Sequence, residues 1–352
     1  MRVCICATQV PFTRGGAEIH VESLHRELRQ RGFSSEIVAL PFNATSRPQL
    51  LKSSLAWRLL ELKTGAGEPV DLVIATRFPS YLIDHPNKVV WLIHQFRAAY
   101  DLLGTRYGDF TGSAEDRGVL EMIREMDNRT LGEARALFTN ARNTAERLKK
   151  FNGIDARPLY HPPQYDGRYR CDGYGDYLLG VGRLEPLKRF DLLIRAMSKT
   201  SSDVRCKIAG TGPAREGLER LIADLELGDR VELLGWIDDE RLLAMYAGCR
   251  SVYYAPYDED YGYVTLEAFK SGKPVLAAED SGGVLEFVVD GENGYVCNHD
   301  RPAEFAARID ALQRDPELAR RMGNAGKRKV DYINWDHVIR TLTGTARIGD
   351  AE

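Results

Sequence analysis

Two cations and two carboxylates have the residue types and spacing to do chemistry together. Arg183 and Lys188 lie in the run Gly180-Val181-Gly182-Arg183-Leu184-Glu185-Pro186-Leu187-Lys188-Arg189-Phe190-Asp191, where small residues close a strand and a helix opens near Phe190. A helix N-terminus is already positive, so Lys188 and Arg189 there call for an anion. Exposed amides ringed by cations form a phosphate site. Ordinary solvated pairing, Arg183 with Glu185 for example, accounts for the same charges equally well. The carboxylates belong to Glu259-Asp260-Tyr261-Gly262-Tyr263-Val264-Thr265-Leu266-Glu267. Glu259 falls in a loop after a strand and Glu267 just inside the following helix. They can grip opposite ends of an extended ligand, sugar hydroxyls at one and ribose hydroxyls at the other. Gly262 lets backbone approach the diphosphate between them. The bland alternative is an exposed Glu259 and a Glu267 that merely suits a first helical turn.

Other residues add to this pattern with less specificity. Ala209-Gly210-Thr211-Gly212-Pro213 and Leu233-Leu234-Gly235-Trp236-Ile237 each end a strand in glycine, at the edge where open α/β sheets bind ligands. Gly235 and Trp236 offer polar backbone and an aromatic wall to a base, although a tryptophan there more often packs in a core. Gly15 and Gly16 precede a helix and permit close approach of a phosphate or an acceptor, yet they form neither G-x-G-x-x-G nor a P-loop. His94 follows a strand directly and is a site candidate or a satisfied structural histidine. Arg97, Tyr100, Asp101 and Arg106 follow it as candidate acceptor contacts. Asp258-Glu259-Asp260 looks like a metal triplet, but cations already fill the role of neutralising a diphosphate, so no essential metal is expected.

These residues need a scaffold of strand ends and helix starts. Short apolar runs alternate with amphipathic stretches along most of the 352 residues, the pattern of βαβ units around parallel sheets. Strands are expected over 3–7, 36–40, 72–75, 89–93 and 136–139, then 176–181, 206–209, 231–233, 251–255 and 274–277. Tyr160-His161-Pro162-Pro163 and the glycine- and tyrosine-rich run after it suit a linker. The expected division is a first domain over 1–163, a second over 164–331, and a C-terminal helix in 332–352 crossing back to the first. Net charge is −3, with +4 over 1–165 and −7 over 166–352, so no basic field points to nucleic acid. The six cysteines have no metal-ligand spacing and read as reduced thiols. No signal peptide or membrane span is recognisable, which predicts a cytoplasmic protein. Residues 49–63 are apolar at helical spacing with Lys52, Arg58 and Lys63 among them. That segment packs on its own core or lies on the inner membrane face.

The order G-R-L-x-x-x-K, G-x-G-P, L-G-W, E-x₇-E and Gly282-Gly283…Asp290-Gly291…Gly294 resembles family-four retaining glycosyltransferases. The resemblance is strongest over 176–296. It implies the GT-B fold, two Rossmann-like domains whose parallel sheets face a central cleft. It implies transfer of a hexose-type sugar from a nucleotide-diphosphate sugar, UDP or GDP, to a hydroxyl of a glycan or lipid-linked acceptor, as in polysaccharide assembly. Arg183 and Lys188 would hold the diphosphate, Glu259 would contact the transferred sugar, and Glu267 would bind the ribose. His94 would approach the sugar. The donor-binding set is completed by Gly15, Gly16, Gly210, Gly235, Trp236, Tyr261, Gly262, Tyr263 and Val264. Tyr261, Tyr263, Val264 and Arg189 stand where phenylalanine, leucine, proline and glycine are commoner. An epimerase, a phosphorylase or a non-catalytic nucleotide-sugar binder on the same scaffold would share these donor residues.

Overall fold

The computed structural model describes every residue except Thr13, Thr45, Ser202 and 346–352. The chain forms two units, Met1–Gln164 with the segment from Asn334 on, and Tyr165–Ile333.

The first unit holds β1 (Arg2–Gln9), α1 (Gly16–Gln30), β2 (Ser34–Pro41), α2 (Arg47–Leu59), β3 (Leu72–Ala75), β4 (Lys88–Leu92), α3 (Ala114–Gly132), β5 (Ala136–Thr139), α4 (Arg142–Asn152) and β6 (Arg157–Pro158). Its sheet is parallel throughout, in the order β2-β1-β3-β4-β5-β6. Leu72–Ala75 and Lys88–Leu92 are buried along their whole length, as strands covered by helices on both faces must be. α3 packs Val119, Leu120, Ile123 and Leu131 into the core of this unit. On its buried face Asp127 accepts hydrogen bonds from Tyr81 (2.9 Å) and Tyr100 (2.7 Å).

The last helix, α11 (Trp335–Thr343), belongs to this unit although the second unit separates it in sequence. Asn334 caps it, and Trp335, Val338, Ile339 and Leu342 join the core of Val3, Ile5, Trp91 and Leu159. His20 and His161 sit among these rings, with His20 Nδ1 3.0 Å from His161 Nε2. Burial lowers both imidazoles, His161 to about 3.

The second unit holds β7 (Tyr177–Val181), α5 (Phe190–Met197), β8 (Arg205–Ala209), α6 (Arg215–Asp224), β9 (Val231–Gly235), α7 (Asp239–Gly248), β10 (Ser251–Tyr253), α8 (Tyr263–Lys270), β11 (Val275–Ala278), β12 (Gly294–Cys297), α9 (Pro302–Arg314) and α10 (Pro316–Val330). Its parallel sheet runs β12-β11-β10-β7-β8-β9. The strand order reverses between β7 and β10, and that switch leaves a crevice at the carboxyl ends of those two strands. β12 was absent from the sequence reading. A single 3₁₀ turn, Gly283–Glu286, follows β11. No helix among the described residues is long and apolar enough to cross a membrane.

Candidate functional site

The loops leaving β7 and β10, at the switch point, carry Arg183, Lys188 and Glu259, and Glu267 lies in the helix that follows the second loop. After β7 the chain passes Arg183 and makes the turn Pro186–Lys188 before α5. After β10 it passes Glu259 and reaches Gly262, whose left-handed φ of 83° starts α8. A Cβ on Gly262 would meet Val284 at 2.9 Å and Tyr254 at 3.2 Å, so both conformation and space demand glycine there.

Lys188 and Glu259 form an ion pair across the two loops. Tyr254 lies beside both, donating to Glu259 Oε2 at 2.9 Å and accepting from Lys188 Nζ at 3.4 Å. Arg183 is half exposed and pairs with Glu185 at 2.7 Å. This is the solvated pair that the sequence offered as the alternative for Arg183. Both pairs are at least partly in water, where exchanging a carboxylate for a diphosphate costs little.

Glu267 sits one turn into α8, where the Tyr246 hydroxyl donates to its Oε2 at 2.6 Å. Burial pushes its carboxyl above the usual range, and the Tyr246 bond only partly opposes that. A desolvated carboxylate met only partly by neutral tyrosine hydroxyls, Tyr246 and Tyr169, is suited to accept from two neighbouring hydroxyls. The side chains of Tyr261 and Val264 do not reach this surface. Tyr261 is 3% exposed, with its ring against Tyr263 and Phe287, and Val264 is buried in the first turn of α8. Their side chains pack in the unit, so any donor contact they make is through the backbone. Trp236, in contrast, is 78% exposed beyond β9, so the core reading fails for it.

The glycines of Gly210-Thr211-Gly212 have another purpose than ligand approach. A Cβ on Gly210 would lie 1.8 Å from the Gly182 carbonyl oxygen, and one on Gly212 2.5 Å from that of Leu184. Their bareness lets the loop of Arg183 pack flat on the end of β8. Gly283 does the same beneath Glu259, since its Cβ would meet the Asp260 carbonyl oxygen at 2.3 Å. Arg189 is also corrected. It is 5% exposed and turned into the protein, away from any ligand at the α5 N-terminus.

In the first unit, His94 follows β4 at the carboxyl edge of its sheet, half-buried, with Nδ1 2.6 Å from the Gln95 carbonyl oxygen. That carbonyl can only accept, so Nδ1 carries a proton. Gly15 already gives its amide to Glu18 Oε2 at 2.9 Å in a capping box, which withdraws it from phosphate binding; Gly16 opens α1 behind it. Glu18 is in turn held by Arg77 at 2.6 Å. Arg97 pairs with Asp101 at 2.6 Å, and Arg147 approaches the same carboxylate at 3.6 Å. Tyr100 is 3% exposed and bonded to Asp127, so its reading as an acceptor contact is corrected to a core role. Arg106 is exposed and stacks on Tyr107.

Comparison with known proteins follows this geometry closely. The family described as Glycosyl transferases group 1 matches residues 170–329. A D-inositol 3-phosphate glycosyltransferase of Nocardia farcinica is 35% identical over 173 residues, 46% of this chain and 38% of that protein. The match therefore spans well under half of that relative's own length. Among solved structures, a sucrose-phosphate synthase from Thermosynechococcus elongatus superposes with a TM-score of 0.76 at 18% identity, covering 97% of this chain and 100% of that one. Anabaena HepE in complex with UDP-glucose gives 0.71 at 17% identity, covering 97% and 98%. Both units have the Rossmann-like parallel sheets of the GT-B glycosyltransferase fold.

Proposed function

Residues 170–329 belong to the glycosyl transferases group 1, and on that premise we propose that the chain is a retaining glycosyltransferase. It moves a hexose-type sugar from a UDP- or GDP-sugar to a hydroxyl of a glycan or lipid-linked acceptor. The observation that carries this reading is the meeting of Lys188 and Glu259 at the switch point, with Glu267 one turn into the adjoining helix.

Sugar transfer puts positive charge on the anomeric carbon and negative charge on the departing diphosphate. Lys188, Arg183 and the amides that follow Gly262 meet that diphosphate, which is the largest electrostatic contribution expected. Lys188 exchanges Glu259 for phosphate as the donor enters, and Glu259 turns to the sugar hydroxyls. Glu267 accepts from the ribose, and Trp236 and Gly235 border the base. The departing phosphate oxygen takes the acceptor's proton on the same face. Fixed cations do the neutralising, so no divalent metal is essential. Leu55 and Leu59 of α2 are 56% and 75% exposed beside Lys52, which supports peripheral contact with an anionic membrane face.

Lys188→Ala lowers turnover by at least about a hundredfold, the scale of one lost transition-state donor, and Glu267→Ala lowers it strongly through the lost ribose contact, with melting temperature little changed in either. Activity persists in EDTA, and the product keeps the donor's anomeric configuration. Near-normal turnover in either variant removes that residue's role, and an inverted product removes the retaining mechanism. Sedimentation with liposomes that depends on anionic lipid supports the membrane contact, and sedimentation that shows no lipid dependence ends it.

A further inference from the structure

We propose that Arg189 is a positioning residue of the donor site, a clamp that holds the Glu259 loop in register with Lys188. The proposal rests on the donor reading above and adds a residue that does not itself touch the ligand. Arg189 is the left-handed residue, φ 52°, between the Lys188 turn and α5. A non-glycine residue there is strained, and the strain needs compensation from its surroundings.

The guanidinium makes the compensating contacts. Nε donates to the Ala255 carbonyl at 2.8 Å and Nη2 to that of Pro256 at 2.7 Å, both in the chain leaving β10. Nη1 and Nη2 together grip Asp280, beyond β11, at 2.9 and 2.7 Å. The Tyr253 hydroxyl donates to Arg189's own carbonyl at 2.9 Å. One buried fork therefore fastens three consecutive loops of the sheet's ligand edge. The loops it fastens are zipped by backbone bonds, Asp258 N to Asp280 O (2.8 Å), Glu259 N to Ser281 O (3.2 Å) and Gly283 N to Glu259 O (2.7 Å). Tyr257 N also donates to Leu187 O at 2.8 Å, in the Lys188 turn itself. Asp280 is thereby coupled to Glu259 through two residues of paired backbone. A lysine cannot replace this fork, because a single ammonium cannot span both carbonyls and a bidentate carboxylate.

Two measurements on the full chain test the clamp. The variants are Arg189→Gly, which relieves the left-handed strain while removing the fork, and Asp280→Asn, which keeps shape but loses the charge. In ligand-free protein, hydrogen–deuterium exchange over residues 254–260 and 279–283 accelerates about tenfold or more in both variants, the scale of losing one charged hydrogen bond. The later turns of α8 do not change. In titrations, UDP-glucose is compared with UDP, and GDP-mannose with GDP. The affinity gained from the sugar falls about tenfold in the variants relative to wild type. Unchanged exchange overturns the proposal. So does a sugar increment equal to wild type in a variant whose loops exchange faster, since the clamp then stabilises without positioning. A wild-type protein that binds neither nucleotide sugar removes the donor reading, and the exchange data then decide the clamp alone.

Discussion

Glu267 and Lys188 are built for opposite compensation. Lys188 meets a carboxylate, whereas Glu267 meets neutral tyrosine hydroxyls, Tyr246 and Tyr169, in a desolvated setting. A carboxyl raised by burial binds more protons folded than unfolded between its ordinary and its raised value. Stability from that group is full below the ordinary carboxylate value and is lost as pH rises through the raised one. Glu267→Gln is therefore expected to raise the melting temperature of the ligand-free protein at pH 7 while weakening nucleotide binding. The wild-type affinity falls as pH drops through the raised value, and the Gln variant shows no such fall. A Gln variant less stable than wild type at pH 7 contradicts this account of the site. The spacing of the two glutamates was readable in sequence because loop and helix start are local. The inward turn of Arg189 was not, since its partners Ala255 and Asp280 are supplied by other strands.

At the scale of elements, strands were the most legible because those of the parallel sheets are short unbroken apolar runs. α3 escaped notice for a physical reason. Its buried face carries Asp127 amid Leu120, Ile123 and Leu131, and that carboxyl breaks the apolar stripe. Burial raises Asp127 to about 7 against the two tyrosine hydroxyls that lower it. The stability it contributes is present below the ordinary aspartate value and lost as pH rises toward 7. Urea unfolding of wild type and Asp127→Asn is expected to diverge over that range, the wild type losing stability relative to the variant as pH rises from about 4 to about 8. Parallel curves rule out the shift. The glycine pairs were equally visible, but their reason was tertiary. Gly210→Ala forces the Cβ against the Gly182 carbonyl and is expected to displace the Arg183 loop, costing donor affinity together with stability. Intact donor affinity in that variant contradicts the scaffold role given to Gly210.

For the whole molecule, the first unit is assembled from both ends of the chain. Trp335, 6% exposed, lies edge-on to Trp91 at 6.3 Å and is capped through Asn334. Trp335→Ala is expected to cost about 3 kcal/mol, read as early melting of the first unit with donor affinity of the second unit unchanged. The family match, 170–329, falls within the second unit. The account stands on the second unit's loop edge as a nucleotide-sugar site. The most direct measurement is a metal-free thermal-shift titration of the chain with UDP-, GDP-, ADP- and dTDP-sugars. One of these ligands is predicted to stabilise by about 3 kcal/mol at a hundredfold over its Kd, with the shift abolished in Lys188→Ala and Glu267→Ala. No shift with any of them, or a shift that survives both substitutions, contradicts it.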